Sequence, residues 1–195
     1  MIPMAKRFEF RPDKPRSGLL SKLFLTQKQR ASVLKWSLYA LILLILSVVQ
    51  DVLMCRVRFF DATTDLVPCG IFLICLMQGL ESGSVFSLVA ACFYLFSGYA
   101  AGYHSIILIT FLSVYVAYFR QSYLRKGFGA IMLCTVFCVF VYEMAVFGIG
   151  VFLNMTIIER IGSHALTAAL TLIAAPILYP IIKGIYSIGG EAWKE

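Results

Sequence analysis

Long apolar runs are the feature of this sequence that most constrains its fold. Six of them follow one another between Trp36 and Ile188, and few charged residues interrupt them. A helix needs about 20 apolar residues to cross a bilayer, and in lipid its backbone polar groups must pair within the segment. The sequence therefore predicts an all-α integral membrane protein with six transmembrane helices. Their predicted ranges are 36–53, 65–80, 82–97, 104–123, 128–154 and 164–188.

Composition supports this class of protein. Hydrophobic residues make up 61% of the 195 residues and charged residues 14%, whereas a soluble domain has about 25% charged residues. The second and third runs are short, so we expect them to cross steeply or to be buried in protein. No polar linker divides the runs, which predicts one transmembrane domain over 36–189.

The two ends of the chain have a different character. Residues 1–16 hold three of the six prolines and mixed charge, which predicts a disordered basic tail. Residues 17–35 are interpreted as an interfacial amphipathic helix, with a disordered leader as the open alternative. Residues 190–195 form a short second tail.

Basic residues are distributed unevenly along the chain. Nine of the 17 Lys and Arg precede or begin the first run, and Arg120, Arg125 and Lys126 follow the fourth. Such clusters are retained on the cytoplasmic side and attract anionic lipid. The distribution predicts that both termini are cytoplasmic, and it makes membrane lipid, not nucleic acid, the expected partner of the net charge of +7.

A ladder of small residues marks the third run. Its members recur every four positions, so on a helix they share one face. Small side chains let membrane helices approach closely, and close packing drives their association because lipid offers no hydrophobic force between them. The ladder predicts a helix-docking or partner-binding face, and it leaves open whether that face docks within the chain. Its residues are Gly79, Gly83, Ser87 and Ala91, with Gly98 and Gly102 repeating the spacing beyond the helix.

Glu143, near the middle of the fifth run, is the most unusual polar residue. An ionisable side chain is costly in a membrane unless it faces protein or water. It is either a proton or ligand site, or an intramembrane polar anchor between helices. We favour the anchor, because we expect no opposite charge at its depth; Lys183 is expected to reach the inner surface.

Metal and disulfide chemistry are weakly indicated. His104 and His164 begin helices on the predicted outer side, and with Asp65 or Glu159 they could form a metal site, but no short ligand spacing joins them. We therefore expect no metal ion and no cofactor. The six cysteines contain no Cys-x-x-Cys pair and lie mostly within apolar runs, which is typical of small core residues.

Enzymatic activity is not indicated. The chain shows no Ser-His-Asp set, no phosphate-binding loop and no carboxylates expected at one depth. Pro176 and Pro180 each remove a backbone donor, which predicts a kinked sixth helix.

The order of several short motifs, over about residues 36–185, is more informative than any one of them. They are Gln50, Asp65-Leu66, Glu81-Ser82-Gly83, the small-residue third helix, Ser97-Gly98, Gly102-Tyr103-His104, the basic stretch 120–126, and Pro176, Tyr179 and Pro180. In this order the chain resembles the bacterial rod-shape-determining protein MreD family. The family usually carries an Asp near the end of the third helix, where this chain has Tyr94 and Leu95.

The resemblance implies a fold similar to the six-helix substrate-binding subunits of energy-coupling-factor transporters. It also implies a non-enzymatic scaffold in the bacterial inner membrane. Such a scaffold binds the single-span protein MreC and helps to link the MreB filament with peptidoglycan synthases. A homo-oligomer is left open.

A second hypothesis from another class is a substrate-binding subunit of a vitamin or metal-ion transporter. The same number of helices, Glu143 and the two histidines on the predicted outer side motivate it.

Overall fold

The structure, a computed structural model, describes residues 27–54, 62–123 and 127–188. Within these ranges every long element is a helix and there is no β-strand. The helices are α1 (Gln27–Val49), continued by the π-helical turn Gln50–Met54, then α2 (Leu66–Gln78), α3 (Leu80–Phe96), α4 (His104–Tyr123), α5 (Phe128–Phe152) and α6 (Ile161–Tyr186), which follows the 3₁₀ turn Ile158–Arg160.

The all-α prediction is confirmed, and the span prediction in part. Four helical stretches in the described ranges are long and apolar enough to cross a membrane. They are Gln29–Val52, His104–Ser122, Phe128–Phe152 and Ile158–Tyr186. The helices α2 and α3 are apolar but shorter, with 13 and 17 residues.

The short helix α2 is the centre of the bundle. Every residue from Leu66 to Met77 is buried, and α2 packs against α1, α3, α4, α5 and α6. A helix that is apolar on all sides is stable only when it is enclosed. Since protein and not lipid surrounds it, α2 does not need the length that a lipid-facing helix requires. Of the two alternatives predicted for the second run, burial in protein is the one observed.

One predicted boundary at the start of the bundle is wrong. The first helix begins at Gln27 and not near Trp36, so residues 27–35 belong to α1 and do not form a separate interfacial helix. The good helix formers in this stretch allow α1 to continue beyond the apolar run. The predicted tails 1–16 and 190–195, and residues 17–26 of the proposed interfacial segment, lie outside the described residues.

The bundle has two ends that differ in their polar residues. At one end Lys35, Arg120 and Tyr186 lie near the α2–α3 corner, and we call it the basic end. At the other end Asp65, Glu143 and His164 meet, and we call it the acidic end.

The helix α6 runs without interruption from Ile161 to Tyr186, through Pro176 and Pro180. Both prolines are exposed, while Tyr179 between them is 9% exposed. The Tyr179 ring packs edge-on against Phe128 of α5, with centroids 4.8 Å apart. Of these three residues of α6, Tyr179 therefore packs inside the bundle and the two prolines lie outside. The kink of this helix remains a prediction.

Candidate functional site

The acidic end is the candidate functional site, and its geometry begins with the buried amide of Gln50. This residue follows α1 directly and is 4% exposed. Its Nε2 donates a hydrogen bond to Asp65 Oδ1 at 3.0 Å, and its Oε1 accepts one from the Val67 N–H at 3.1 Å. One amide thus binds both a side chain and a backbone group at the start of α2.

The α6 hydroxyl of Thr171 completes the attachment of this helix start. Thr171 Oγ1 accepts a hydrogen bond from the Asp65 N–H at 2.9 Å and donates one to the Thr167 carbonyl at 2.8 Å. The first amides of a helix have no partner within it and must be satisfied elsewhere when buried. Side chains from α1 and α6 provide that satisfaction, and Pro68 has no N–H to satisfy.

Asp65 occupies the N-cap position of α2, but its side chain makes no capping hydrogen bond. The reason is that the carboxylate turns to Gln50, while Gln50 and Thr171 bind the backbone amides that a capping side chain would serve.

Glu143 and His164 lie beside this start of α2. Glu143 is 3% exposed, and its Oε2 lies 3.5 Å from Nδ1 of His164, so the two residues join α5 to α6. The His164 ring also packs against Phe147, with centroids 5.3 Å apart. The His164 side chain is partly exposed, so it connects the buried carboxyl group of Glu143 with the surface at this end of the bundle.

The carboxyl groups of Asp65 and Glu143 interact with each other, and Asp65 also interacts with His164. The prediction that no two carboxylates lie at one depth is therefore wrong. Glu143 lies nine residues before the end of α5, about 14 Å along the helix. Because α2 is short, Asp65 at its start lies at the depth of Glu143 in the bundle. The difference in length between the second and fifth apolar runs was the sequence feature that could have indicated this.

Two buried tyrosines enclose the acidic pair. Tyr94 of α3 is 1% exposed and Tyr142 of α5 is 2% exposed. Tyr94 interacts with Asp65 and Gln50, and Tyr142 with Asp65 and Glu143. The phenol of Tyr94 can donate a hydrogen bond to the neighbouring carboxyl group of Asp65.

No group of three or more His, Cys, Asp or Glu side chains within the described residues is arranged to hold a metal ion. His164 meets Glu143, while Glu159 is exposed in the 3₁₀ turn before α6. In the same ranges five cysteines have free thiols; Cys92 is partly buried and the other four are buried. Cys55, the sixth cysteine, lies outside the described residues.

Three members of the small-residue ladder lie inside the bundle. Gly83 is buried, Ser87 is 0% exposed and Ala91 is 1% exposed. A Cβ atom on Gly83 would lie 2.8 Å from the carbonyl oxygen of Cys75 in α2. The sequence left open whether this face docks within the chain or onto a partner. For Gly83, Ser87 and Ala91, docking within the chain is observed.

The other three glycines of the ladder belong to turns. Gly79 separates α2 from α3 with a φ of 88°, and Gly98 and Gly102 follow α3 with φ values of 83° and 146°. These are conformations that glycine adopts at no steric cost. These three glycines lie outside the ranges of α2 and α3, so they are not part of the helix face that holds Gly83, Ser87 and Ala91, and their docking role stays a prediction.

Arg120 does not lie on the membrane surface as an exposed basic stop. It is 6% exposed and lines a cavity between α4, the α2–α3 corner and the end of α6. Helix packing at the end of α4 turns this side chain inward, which its position in a basic stretch did not reveal. Arg125 and Lys126 lie outside the described residues.

The fold and the acidic site define a class of protein: an all-helical bundle with several helices able to span a membrane and a buried polar cluster at one end. Comparison of the chain with family models, with curated proteins and with solved structures gives no match.

Proposed function

We propose that this protein is a six-span, non-enzymatic scaffold of the bacterial cell-elongation machinery, a divergent relative of the MreD family. It resides in the cytoplasmic membrane with both termini in the cytoplasm. It binds a single-span MreC-like protein and connects it to a cytoplasmic MreB-like filament and to peptidoglycan synthases.

One observation carries the proposal. Gln50 and Asp65, two residues on which the resemblance rests, bind each other at 3.0 Å at the start of the central helix. Together with Thr171 they join α1, α2 and α6. Polar residues that hold helices in a fixed arrangement are what a scaffold requires, since a partner must meet the same surface each time. The proposal includes a fold similar to that of the six-helix substrate-binding subunits of energy-coupling-factor transporters.

The second candidate function is a substrate-binding subunit of a vitamin or metal-ion transporter. The specific observation in its favour is the acidic end, where Glu143, Asp65 and the partly exposed His164 meet. Buried ionisable groups in membrane proteins often mark ligand or proton sites. The scaffold proposal interprets the same groups as links between α2, α5 and α6.

A copurification experiment separates the two functions. The full chain is expressed with the single-span MreC-like protein of the same genome, purified in mild detergent and analysed by mass spectrometry for protein and small molecules. We expect the partner to copurify at equal yield with the wild type and with Glu143→Gln, and an unrelated single-span protein to be absent.

Two results contradict the scaffold. One is equal recovery of the unrelated single-span protein, which would show that capture is nonspecific. The other is a small molecule retained by the wild type at one per chain and lost from Glu143→Gln, which would favour the transporter subunit.

A further inference from the structure

A polar cavity of about 560 Å³ opens at the basic end of the bundle. The α2–α3 corner, the last turns of α4 and the end of α6 form its walls. The residues that matter for its chemistry are Gln78, Glu81, Ser82, Arg120, Gln121 and Tyr186. Sites for small ligands have volumes of about 300–1,000 Å³ and a few convergent polar groups, so this cavity is in the range of a binding site.

The buried guanidinium of Arg120 gives the cavity its charge. Arg120 is 94% removed from solvent, as its 6% exposure shows, and it lines the cavity wall. A guanidinium stays protonated in proteins and presents five N–H donors in a planar fork, which matches the oxygens of a phosphate. A second buried cation is adjacent: Nζ of Lys35, 8% exposed, lies 4.6 Å from the ring centre of Tyr186, which also lines the cavity.

The first turn of α3 contributes to the same cavity wall. Leu80, Glu81 and Ser82 line the cavity, and they precede Gly83, whose N–H is the first to bond back, to the Gly79 carbonyl at 3.0 Å. The N-terminal amides of a helix and its dipole favour an anion nearby. The turn at Gly79 thus places a helix start beside a buried arginine. Glu81 brings one negative charge to this wall, but its side chain is exposed and can extend into solvent.

We propose that this cavity binds a phosphate-bearing anion, with Arg120 as its principal ligand and the first turn of α3 as a second contact. Two sources of that group are chemically equivalent at the site: the headgroup of an anionic phospholipid, and free phosphate. The proposed orientation of the chain puts the basic end at the inner leaflet, where anionic headgroups are attractive partners for basic groups. This binding role is separate from the scaffold function, and only the placement of the cavity at the inner leaflet rests on the orientation given in the proposed function.

The test compares two neighbouring, exposed residues of α4. Gln121 lines the cavity and Ser122 does not. Gln121→Glu places a negative charge at the cavity, and Ser122→Glu places the same charge one residue away from it. Delipidated full-length protein in nonionic detergent is titrated with phosphatidylglycerol, phosphatidylcholine and inorganic phosphate. Binding is followed by native mass spectrometry and by the shift in unfolding temperature.

We expect phosphatidylglycerol to bind the wild type about tenfold or more tightly than phosphatidylcholine. Gln121→Glu should weaken that binding about fivefold or more through charge repulsion, and Ser122→Glu should leave it within about twofold. Arg120→Gln should abolish the preference. If this variant fails to fold, the exposed pair at 121 and 122 still decides the result.

The titrations with lipid and with inorganic phosphate also identify the source of the phosphate group. Stabilisation by inorganic phosphate that Gln121→Glu removes, without a preference for phosphatidylglycerol, supports the cavity as a site for a free anion. The proposal is overturned if neither probe binds the wild type. It is overturned equally if Gln121→Glu and Ser122→Glu bind both probes as well as the wild type does.

Discussion

At the scale of single residues, the missing side chain of Gly83 sets the distance between two helices. The nearest atoms to a Cβ at this position would be the carbonyl oxygen and the sulfur of Cys75, both at 2.8 Å. The carbonyl belongs to the backbone of α2 and cannot rotate away. The Cys75 sulfur is also held, since it donates a hydrogen bond to the Ser113 carbonyl of α4 at 3.5 Å. Gly83 therefore lies at a close contact between α3 and α2, and Cys75 links this contact to α4.

We predict that Gly83→Ala destabilises the protein by about 1–3 kcal/mol, because the added methyl group forces α2 and α3 apart. The matched control is Gly148→Ala, since Gly148 is an exposed glycine within α5 and its Cβ would meet nothing within 4 Å. Alanine has the higher helix propensity, so the control should be stabilised by up to about 1 kcal/mol. Thermal unfolding in detergent measures both. Equal stability of the two variants would show that α2 and α3 are not in close contact at Gly83.

At the scale of elements, the start of α2 is held by side chains from its neighbours. Its first amides are buried among other helices, where water cannot satisfy them. Gln50 and Thr171 bind two of these groups, and they come from the turn that continues α1 and from α6. Because these polar side chains bind backbone amides of another helix, they are tolerated at buried positions of an otherwise apolar bundle.

We predict that Thr171→Val costs about 0.5–1.5 kcal/mol of stability, because the Asp65 N–H loses its partner while the shape of the side chain is kept. The control is Thr135→Val. Thr135 is equally buried, but its hydroxyl donates only to the Ile131 carbonyl of its own helix, at 2.8 Å. That change should cost less than about 0.5 kcal/mol. Denaturation midpoints of the two purified variants give the comparison, and a control as unstable as Thr171→Val would contradict the role of the interhelix bond.

At the scale of the whole molecule, the short helix α2 is enclosed by the other five helices of the bundle. The long helices α1, α4, α5 and α6 expose large apolar side chains, among them Leu41, Ile107, Phe137 and Ile173, which suit contact with lipid. The enclosed helix α2 spans about 20 Å, less than the hydrocarbon thickness of about 30 Å. A bundle of this form leaves room for polar groups near each end of α2, and both the acidic cluster and the basic cavity lie there.

The proposed six-span topology predicts that Glu81 and Glu159 face opposite sides of the membrane. Both side chains are exposed, one at the start of α3 and the other before α6. In cells whose membrane is intact and accessible, an impermeant maleimide should label Glu159→Cys above the wild-type background. It should label Glu81→Cys only after permeabilisation. Labelling of both from the same side would show that α2 and α3 form a hairpin that does not cross.

The acidic cluster is the part of the site whose assembly could not be predicted from the sequence. Gln50, Asp65 and Glu143 were each recognisable as polar residues in or near apolar runs. Their meeting was not, because it depends on how antiparallel helices of unequal length are aligned. Arg120 illustrates the same limit, since its inward orientation follows from the packing of the last turns of α4.

By itself, the sequence determined the helical class, the apolar runs and the small-residue face. These depend on local periodicity and on the free energy of placing each residue type in lipid, which neighbouring residues in the chain already specify. Only the tertiary structure decided that the small-residue face is used inside the bundle and that Asp65 approaches Glu143. The physical reason is that both depend on contacts between segments far apart in the chain, and the packed helices alone set those distances.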